Sequence, residues 1–400
     1  MDSVELESID FIDKFDATGS NQTGMRDRNE RLVLTILRRV GPLAKAEIAR
    51  RTGLSAQTVS VIVRALESEG LLKKGDKVRG KIGQPSIPMR LDPNGAYFFG
   101  LKVGRRSAEL ILVNFVGEEL AHIEKTYSYP TPEKTLAFVQ SAVAKICGTL
   151  SDIDRSRISG LGIASPYFLW EWANVIGVAP SAMAAWQGFD LRAEVETLFD
   201  FRVFLGNDAT SACGAELTFG NIEKPLDFLY IYIGHFVGGG LVLNGALYAG
   251  RKGNAGAVGP FPMQSGAGRQ IQLVDTASFI GLERRFADHF DDPTFTLDPN
   301  AQWHLQEPDI FEDWLSEAAP ALATFIASAC SVIDFPAILV DGNMSDDLRT
   351  VIIERIFTAL DDLPWSGLLR PDIIAGSLGP RARPLGAASL ALSRKFMLEA

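Results

Sequence analysis

In the N-terminal quarter of the chain the apolar positions keep a helical period and then switch to that of strands. Leu32, Val33, Ile36 and Leu37 recur at helical spacing, and Gly41-Pro42 ends that helix. A second short helix, about Lys45 to Arg51, stops at Thr52-Gly53. Ser55 is then a natural N-cap for a third helix, in which Val59, Ile62, Val63 and Leu66 form one apolar stripe. Strand-like Leu71 to Lys74, the basic turn GDKVRGKIGQPS and strand-like Ile87 to Leu91 follow in the layout of a β-wing.

Past the turn cluster Asp92-Pro93-Asn94-Gly95 the pattern changes again. Three strand-like runs, Tyr97 to Val103, Ala108 to Phe115 and Glu119 to Thr126, lead into a helix from about Pro132 to Leu150. A strand ending in Gly162 to Pro166, a strand into Gly206 to Ala209 and a helix from Thr210 to Phe219 come next. The runs Phe228 to Ile233 and Gly239 to Leu247 then repeat the character of the first strands without matching them in sequence. Strand sets alternating with helices predict an α/β body of two related lobes with a cleft between them. Two apolar stretches, Phe228 to Gly250 and Ala318 to Val340, are long enough to span a membrane. The first contains Gly238-Gly239-Gly240, the second is cut by Pro336, and neither has a Lys/Arg-rich flank, so both are expected to be buried core.

The helices of the N-terminal module have the spacing of a helix-turn-helix. Ala49 lets two helices approach, Gly53 takes a left-handed turn and Val59 anchors the second helix. The outward face of that helix offers Gln57, Thr58, Ser60 and Arg64, beside the cap Ser55, to base edges and phosphates. Charge agrees with this. Residues 26–90 carry fifteen Lys/Arg against six Asp/Glu, a net of +9, whereas the whole chain is −10. A basic module on an acidic body is the footprint of nucleic-acid binding. The wing adds Arg79 and Lys81 as further DNA contacts.

At 400 residues, 46% hydrophobic and 22% charged, the chain exceeds a single small module and excludes a disordered or collagen-like class. Its three scattered cysteines, Cys147, Cys213 and Cys330, argue for a reducing, cytoplasmic compartment. The expected organisation is a disordered acidic tail over 1–25, a winged helix-turn-helix over 26–92 and a two-lobed body over 93–400 that binds an effector and dimerises.

Four segments carry a resemblance to a known family: GPLAKAEIARRTGLSAQTVSVIVRALESEGLL, APSAMAAWQGFDLRAEVETLF, LGNDATSACGAE and GGGLVLNGALYAGRKGNAGAVG. With them the chain resembles, over nearly all of 29–400, the ROK proteins. These comprise sugar-responsive transcriptional repressors and sugar kinases built on an actin-like, RNase H-like two-lobed fold. The helix-turn-helix places the chain in the repressor branch, because the kinases begin directly at the first strand.

The resemblance also permits the kinase chemistry to be examined residue by residue. The family's first phosphate turn reads roughly Asp-x-Gly-Gly-Thr, and here it is Lys102-Val103-Gly104-Arg105-Arg106. An ammonium in place of the carboxylate repels Mg²⁺. The second turn, usually Gly-Thr-Gly, is Gly234-His235-Phe236, and the adenosine-side Gly-Gly corresponds to Asp341-Gly342. These departures imply no ATP cofactor and no kinase activity. On the sugar side Asn207 and Asp208 match the family's sugar-binding pair, although an Asn-Asp turn at a strand end also serves as a helix cap. Ser181 aligns with a frequent sugar-binding Asn. The family's Glu-x-Gly-His segment is Ala257-Val258-Gly259-Pro260, and the zinc-binding cysteines after it are missing, so no zinc is expected.

The reading is a DNA-binding regulator, expected to be a repressor. Its partners are double-stranded operator DNA, a sugar or sugar-derivative effector and a second copy of itself in a homodimer or larger homo-oligomer, with no membrane. A sugar kinase with an appended DNA-binding domain and a ligand-free dimerisation scaffold are the alternatives.

Overall fold

The computed structural model describes residues 22–76, 87–173, 177–220, 223–251, 253–265, 268–290, 298–299 and 302–398. Of these, 22–208 and 384–398 form one compact unit and 209–383 the other.

The first unit opens with three helices, α1 (Gln22–Val40), α2 (Lys45–Thr52) and α3 (Ala56–Ser68), and the wing strands β1 (Leu72–Lys74) and β2 (Met89–Leu91). Helix α1 begins inside the segment expected to be an acidic tail, with Arg26 and Glu30 paired one turn apart at 2.8 Å. Gly53 takes the left-handed conformation (φ 71°) and its N–H closes α2 on Ala49 O at 3.0 Å. A residue with a Cβ pays for that geometry, which is why glycine stands there. Val59, Ile62, Val63 and Leu66 are all buried, as their spacing requires. Strands β1 and β2 pair antiparallel, and Met89 exchanges two backbone hydrogen bonds with Leu43, which fixes the wing against the start of α2.

The body of this unit is a five-stranded sheet of order β5-β4-β3-β6-β7. Its strands are β3 (Tyr97–Val103), β4 (Ser107–Asn114), β5 (Glu119–Thr126), β6 (Ile158–Ala164) and β7 (Val203–Gly206). The first three pair antiparallel and the last two join in parallel. Helices α4 (Pro132–Cys147), α5 (Asp152–Ser156), α6 (Pro180–Met183) and α7 (Leu191–Glu196) complete it. The core gathers Phe99, Leu101, Leu110, Phe138, Val139, Ile163, Met183 and Trp186. Fully burying one such side chain contributes about 1.5–3 kcal/mol.

The second unit repeats that order with different residues: β10-β9-β8-β13-β14, again antiparallel, antiparallel, parallel, parallel. After α8 (Asp208–Phe219) come β8 (Phe228–Ile233), β9 (Gly238–Leu243), β10 (Ala246–Tyr248) and the small pair β11 (Pro262–Gln264) and β12 (Gln270–Gln272). Helices α9 (Leu273–Ala277), α10 (Phe279–Ala287), α11 (Trp303–Gln306) and α12 (Pro308–Val332) lead to β13 (Ala337–Gly342), α13 (Asp346–Asp361) and β14 (Asp372–Ala375). The run expected as one strand to Leu247 is a hairpin instead: Asn244 and Gly245, with φ 54° and 72°, turn β9 into β10. Asn-Gly is the usual two-residue hairpin signal, overlooked because the apolar pattern continues on both sides.

The second long apolar stretch is the end of α12 followed by β13. Helix α12 is the one described helix long and apolar enough to cross a membrane, and half of its apolar window is buried inside the protein. Cys147, Cys213 and Cys330 are free thiols.

The last helix, α14 (Ala382–Phe396), returns to the first unit. A Cβ at Gly100 would collide with Pro384 O and one at Gly162 with Ala387 O, so glycines on β3 and β6 let α14 lie directly on the sheet. Beyond the helix, Leu398 N donates to Thr35 Oγ1 on α1 at 3.0 Å. Arg38 of α1 donates to Phe115 O at 2.5 Å and lies 5.2 Å over the Phe115 ring. Phe115 packs edge-on against Phe396, which also meets Phe98. Helix α1 is therefore tied to the first sheet and to the end of α14 through Arg38 and Thr35.

Candidate functional site

The two places singled out in the sequence lie at opposite ends of the chain's chemistry, a polar helix face and a set of turns. Ser55 caps α3: its Oγ accepts from Thr58 N at 3.1 Å and lies 2.8 Å from Thr58 Oγ1. Gln57 and Arg64 are exposed on the face opposite the apolar stripe, and Thr58 and Ser60 are half-buried. Arg64 pairs with no carboxylate among the described residues. Other basic residues of the module have internal partners: Arg50 and Arg51 share Glu47, Lys73 pairs with Asp92 and Lys74 with Glu67. Val61, on the outward face but absent from the sequence-based site, is 55% exposed. Arg79 and Lys81, with the wing tip Gly83-Gln84-Pro85, lie outside the described residues.

In the first turn Lys102 does not reach toward an open site. It stands opposite Glu109 in the β3–β4 ladder and donates to Glu109 Oε1 at 2.5 Å and to Ser107 Oγ at 3.2 Å. A carboxylate that the sequence reading did not bring to this turn, Glu109 on β4, therefore faces Lys102. It is held by Lys102 and by His122, whose Nε2 lies 3.5 Å from its second oxygen. Cross-strand register, not sequence proximity, brings the three together. The turn itself is closed: Gly104 N donates to Ser107 O, and Tyr127 donates its hydroxyl to Gly104 O and its N–H to Arg106 O. Burial, then Glu109, push the Tyr127 phenol well above its ordinary range.

The second turn presents carbonyls that are already engaged. Phe279 N and Ile280 N, at the start of α10, donate to Gly234 O and His235 O at 2.9 and 3.1 Å. Val237 N donates to Ser278 Oγ at 2.8 Å, and His235 Nδ1 lies 3.2 Å from Glu283 Oε2. Arg383 stacks 4.4 Å over the Tyr232 ring beside Gly234.

At the third position Asp341 is fully buried and accepts from Tyr230 Oη, Arg349 Nη1, Gly342 N and Gly379 N, all within 3.1 Å. Burial pushes its carboxyl up, and Arg349 opposes that. Gly376 leaves room for it, since a Cβ there would sit 2.6 Å from the Asp341 side chain. Nearby Glu216, also fully buried, accepts from Ser377 N and Oγ at 2.9 and 2.8 Å. The first turn thus holds an ion pair and the third a buried hydrogen-bond network.

Asn207 follows β7 half-buried, and the buried Asp208 is both the first residue of α8 and the last of the first unit before the chain crosses over. Tyr167, missed in the sequence, hydrogen-bonds the Asn207 backbone, and burial raises its phenol. Ser181 is exposed on the first turn of the short α6, in the same unit. The segment Ala257–Pro260 wedges the buried Val258 under Gly239. Among the described residues no group of three or more His, Cys, Asp or Glu is placed to hold a metal.

Residues 98–394 match the ROK family, and residues 26–73 match a winged helix-turn-helix DNA-binding domain. The chain is 26% identical over 374 residues to an uncharacterised protein of Sinorhizobium fredii, covering 92% of this chain and 91% of that one. It is 23% identical to a putative xylose repressor of a Caldicellulosiruptor species, covering 84% and 90%, and 24% identical to the Escherichia coli transcriptional dual regulator NagC, covering 59% and 57%. Among solved structures, a ROK family transcriptional regulator homologous to E. coli MLC aligns at TM-score 0.66 and 18% identity, over 94% of this chain and 98% of that chain. A Streptomyces griseus ROK glucokinase, solved with glucose and AMPPNP, aligns at TM-score 0.57 and 20% identity, over 74% and 99%. With the duplicated strand order already in hand and three quarters of its length matched, the chain belongs to the ROK family and carries a winged helix-turn-helix ahead of the family body.

Proposed function

We propose that the protein is a cytoplasmic transcription regulator, a repressor, that binds double-stranded operator DNA as a homodimer and answers to a sugar or sugar derivative held by its body. The observation that carries this is α3, with Gln57 and Arg64 exposed on a module of net charge +9. A lone module offers few contacts, which favours two modules on a two-fold operator, as a dimer or a larger homo-oligomer. Arg79 and Lys81 of the wing add contacts, while Gln84 stands where relatives often have an arginine for the minor groove. Relatives named for xylose and N-acetylglucosamine repression support a carbohydrate as the effector.

The body acts as a sensor and not as a kinase. What supports this is that Lys102 is engaged by Glu109 and Asp341 by Tyr230 and Arg349, at positions that match the family's phosphate and adenosine turns. Without a bound phosphoryl donor there is no transfer to catalyse. Asn207, Asp208 and Ser181 serve as hydroxyl partners for the effector. Asp208 lies where the chain passes from one unit to the other, and an effector that binds two arrangements of those units unequally shifts their populations. The link between α1, Phe115 and the end of α14 carries that shift to the DNA-binding module.

The test is equilibrium binding to duplexes selected from a randomised pool, repeated with each member of a carbohydrate panel. Wild type should bind less tightly as salt rises and should release DNA with one carbohydrate. Asp208→Ala and Asn207→Ala should bind DNA normally and ignore it. If both respond like wild type, the pair caps α8 and the effector sits elsewhere. Hexose-dependent ADP release above a Lys102→Ala control would overturn the non-enzymatic assignment.

A further inference from the structure

Helix α3 has one feature that neither its fold nor the polar face explains. Gln57, Val61, Arg64 and Ser68 lie four, three and four residues apart, a single stripe on the side away from the buried Val59, Ile62, Val63 and Leu66. Gln57, Val61, Arg64 and Ser68 are all exposed, and Val61 is the one large hydrophobic exposed on the described residues of α2 or α3. It contributes nothing to the core it points away from. A β-branched residue is also a weaker helix former than alanine, so local helix stability does not account for it.

We propose, on the reading that this module binds operator DNA, that Val61 is a specificity-determining residue that packs on the 5-methyl group of a thymine in the major groove. The thymine methyl is the apolar group among the major-groove base edges, whereas Gln and Arg are matched to the hydrogen-bonding edges of adenine and guanine. Val61 lies about 6 Å along the helix from Gln57 and about 4.5 Å from Arg64. Steps of that size correspond to one or two base pairs at about 3.4 Å each. The three side chains therefore read one short run, with an apolar contact between two polar ones. Valine suits this role because one χ1 rotamer dominates in a helix, so its methyls are held in place before DNA arrives. The net +9 of residues 26–90 supplies the attraction that brings this face to the duplex, and Val61 adds discrimination rather than charge.

The experiment uses the full chain and a pool of randomised duplexes. The duplex enriched by wild type is resynthesised with deoxyuridine at one thymine position at a time, which removes only the 5-methyl group. Wild type should lose about fourfold in affinity at one thymine of each half-site, the factor equivalent to ~0.8 kcal/mol for one buried carbon. Val61→Ala should bind the thymine and uracil duplexes equally, with a melting temperature no lower than wild type because the side chain is exposed and alanine is the better helix former, and with an unchanged salt slope. Val61→Thr, which keeps one γ-methyl, should retain part of the discrimination. If no uracil position weakens wild type more than Val61→Ala, the assignment of Val61 is wrong while DNA binding stands. If wild type enriches no sequence at all, the operator reading falls and this inference with it.

Discussion

Helix α3 and the turns of the body hold their polar groups in opposite ways. On α3, Gln57 and Arg64 are exposed to solvent. In the body, Lys102 meets Glu109, and Asp341 meets Tyr230, Arg349 and two backbone amides. A buried polar group with its hydrogen bonds made internally holds the fold together, and losing its partner is costly. An exposed one exchanges water for a ligand at little cost to the fold. One chain thus leaves polar side chains open to solvent on α3 and ties those of the body into its structure.

The comparison breaks most visibly at Asp341. Asp341→Ala takes the shared buried acceptor from Tyr230 Oη, Arg349 Nη1, Gly342 N and Gly379 N while Arg349 keeps Asp346 at 2.7 Å, and should destabilise the protein in urea unfolding by about 1–3 kcal/mol for each donor left unsatisfied. An undiminished midpoint would mean that the network is incidental. Arg64→Ala should do the reverse, weakening operator binding by about 1–3 kcal/mol per half-site in an anisotropy titration while leaving the melting temperature unchanged. Ser55→Ala sits between the two classes, because Ser55 caps α3 at Thr58 N, and should cost about 1 kcal/mol of stability by calorimetry.

The smallest effect concerns pH. Hydrogen bonds from Arg50 and Arg51 hold the Glu47 carboxyl down to about 2. Because the folded value is depressed, the contribution of this group is present above the ordinary range near 4.5 and is lost as pH falls toward 2. Glu47 is exposed, so salt screens the effect. A low-salt circular dichroism titration of Glu47→Gln should lack that part of the acid limb.

Much of this division was legible in the sequence, for identifiable reasons. Helix period, the Ala49–Gly53–Val59 spacing and the charge step are local signals, and α1 to α3 with both wing strands followed from them. The Asn244-Gly245 hairpin was equally local and was hidden by the apolar run around it. The internal partners of the turns were not legible, because those come from distant pairing. Glu109 reaches Lys102 through strand register, and Tyr230 and Arg349 reach Asp341 from another strand and a helix. Val61 was passed over because an apolar residue on a helix is ordinarily assigned to the core.

The central claim is that the exposed helix face engages DNA. It is tested most directly by titrating wild type and Arg64→Ala with the selected duplex across a series of salt concentrations. The logarithm of wild-type affinity should fall linearly with the logarithm of salt, and Arg64→Ala should lie below it at every concentration. Superimposable curves for the two proteins, or affinity indifferent to salt, would contradict the account.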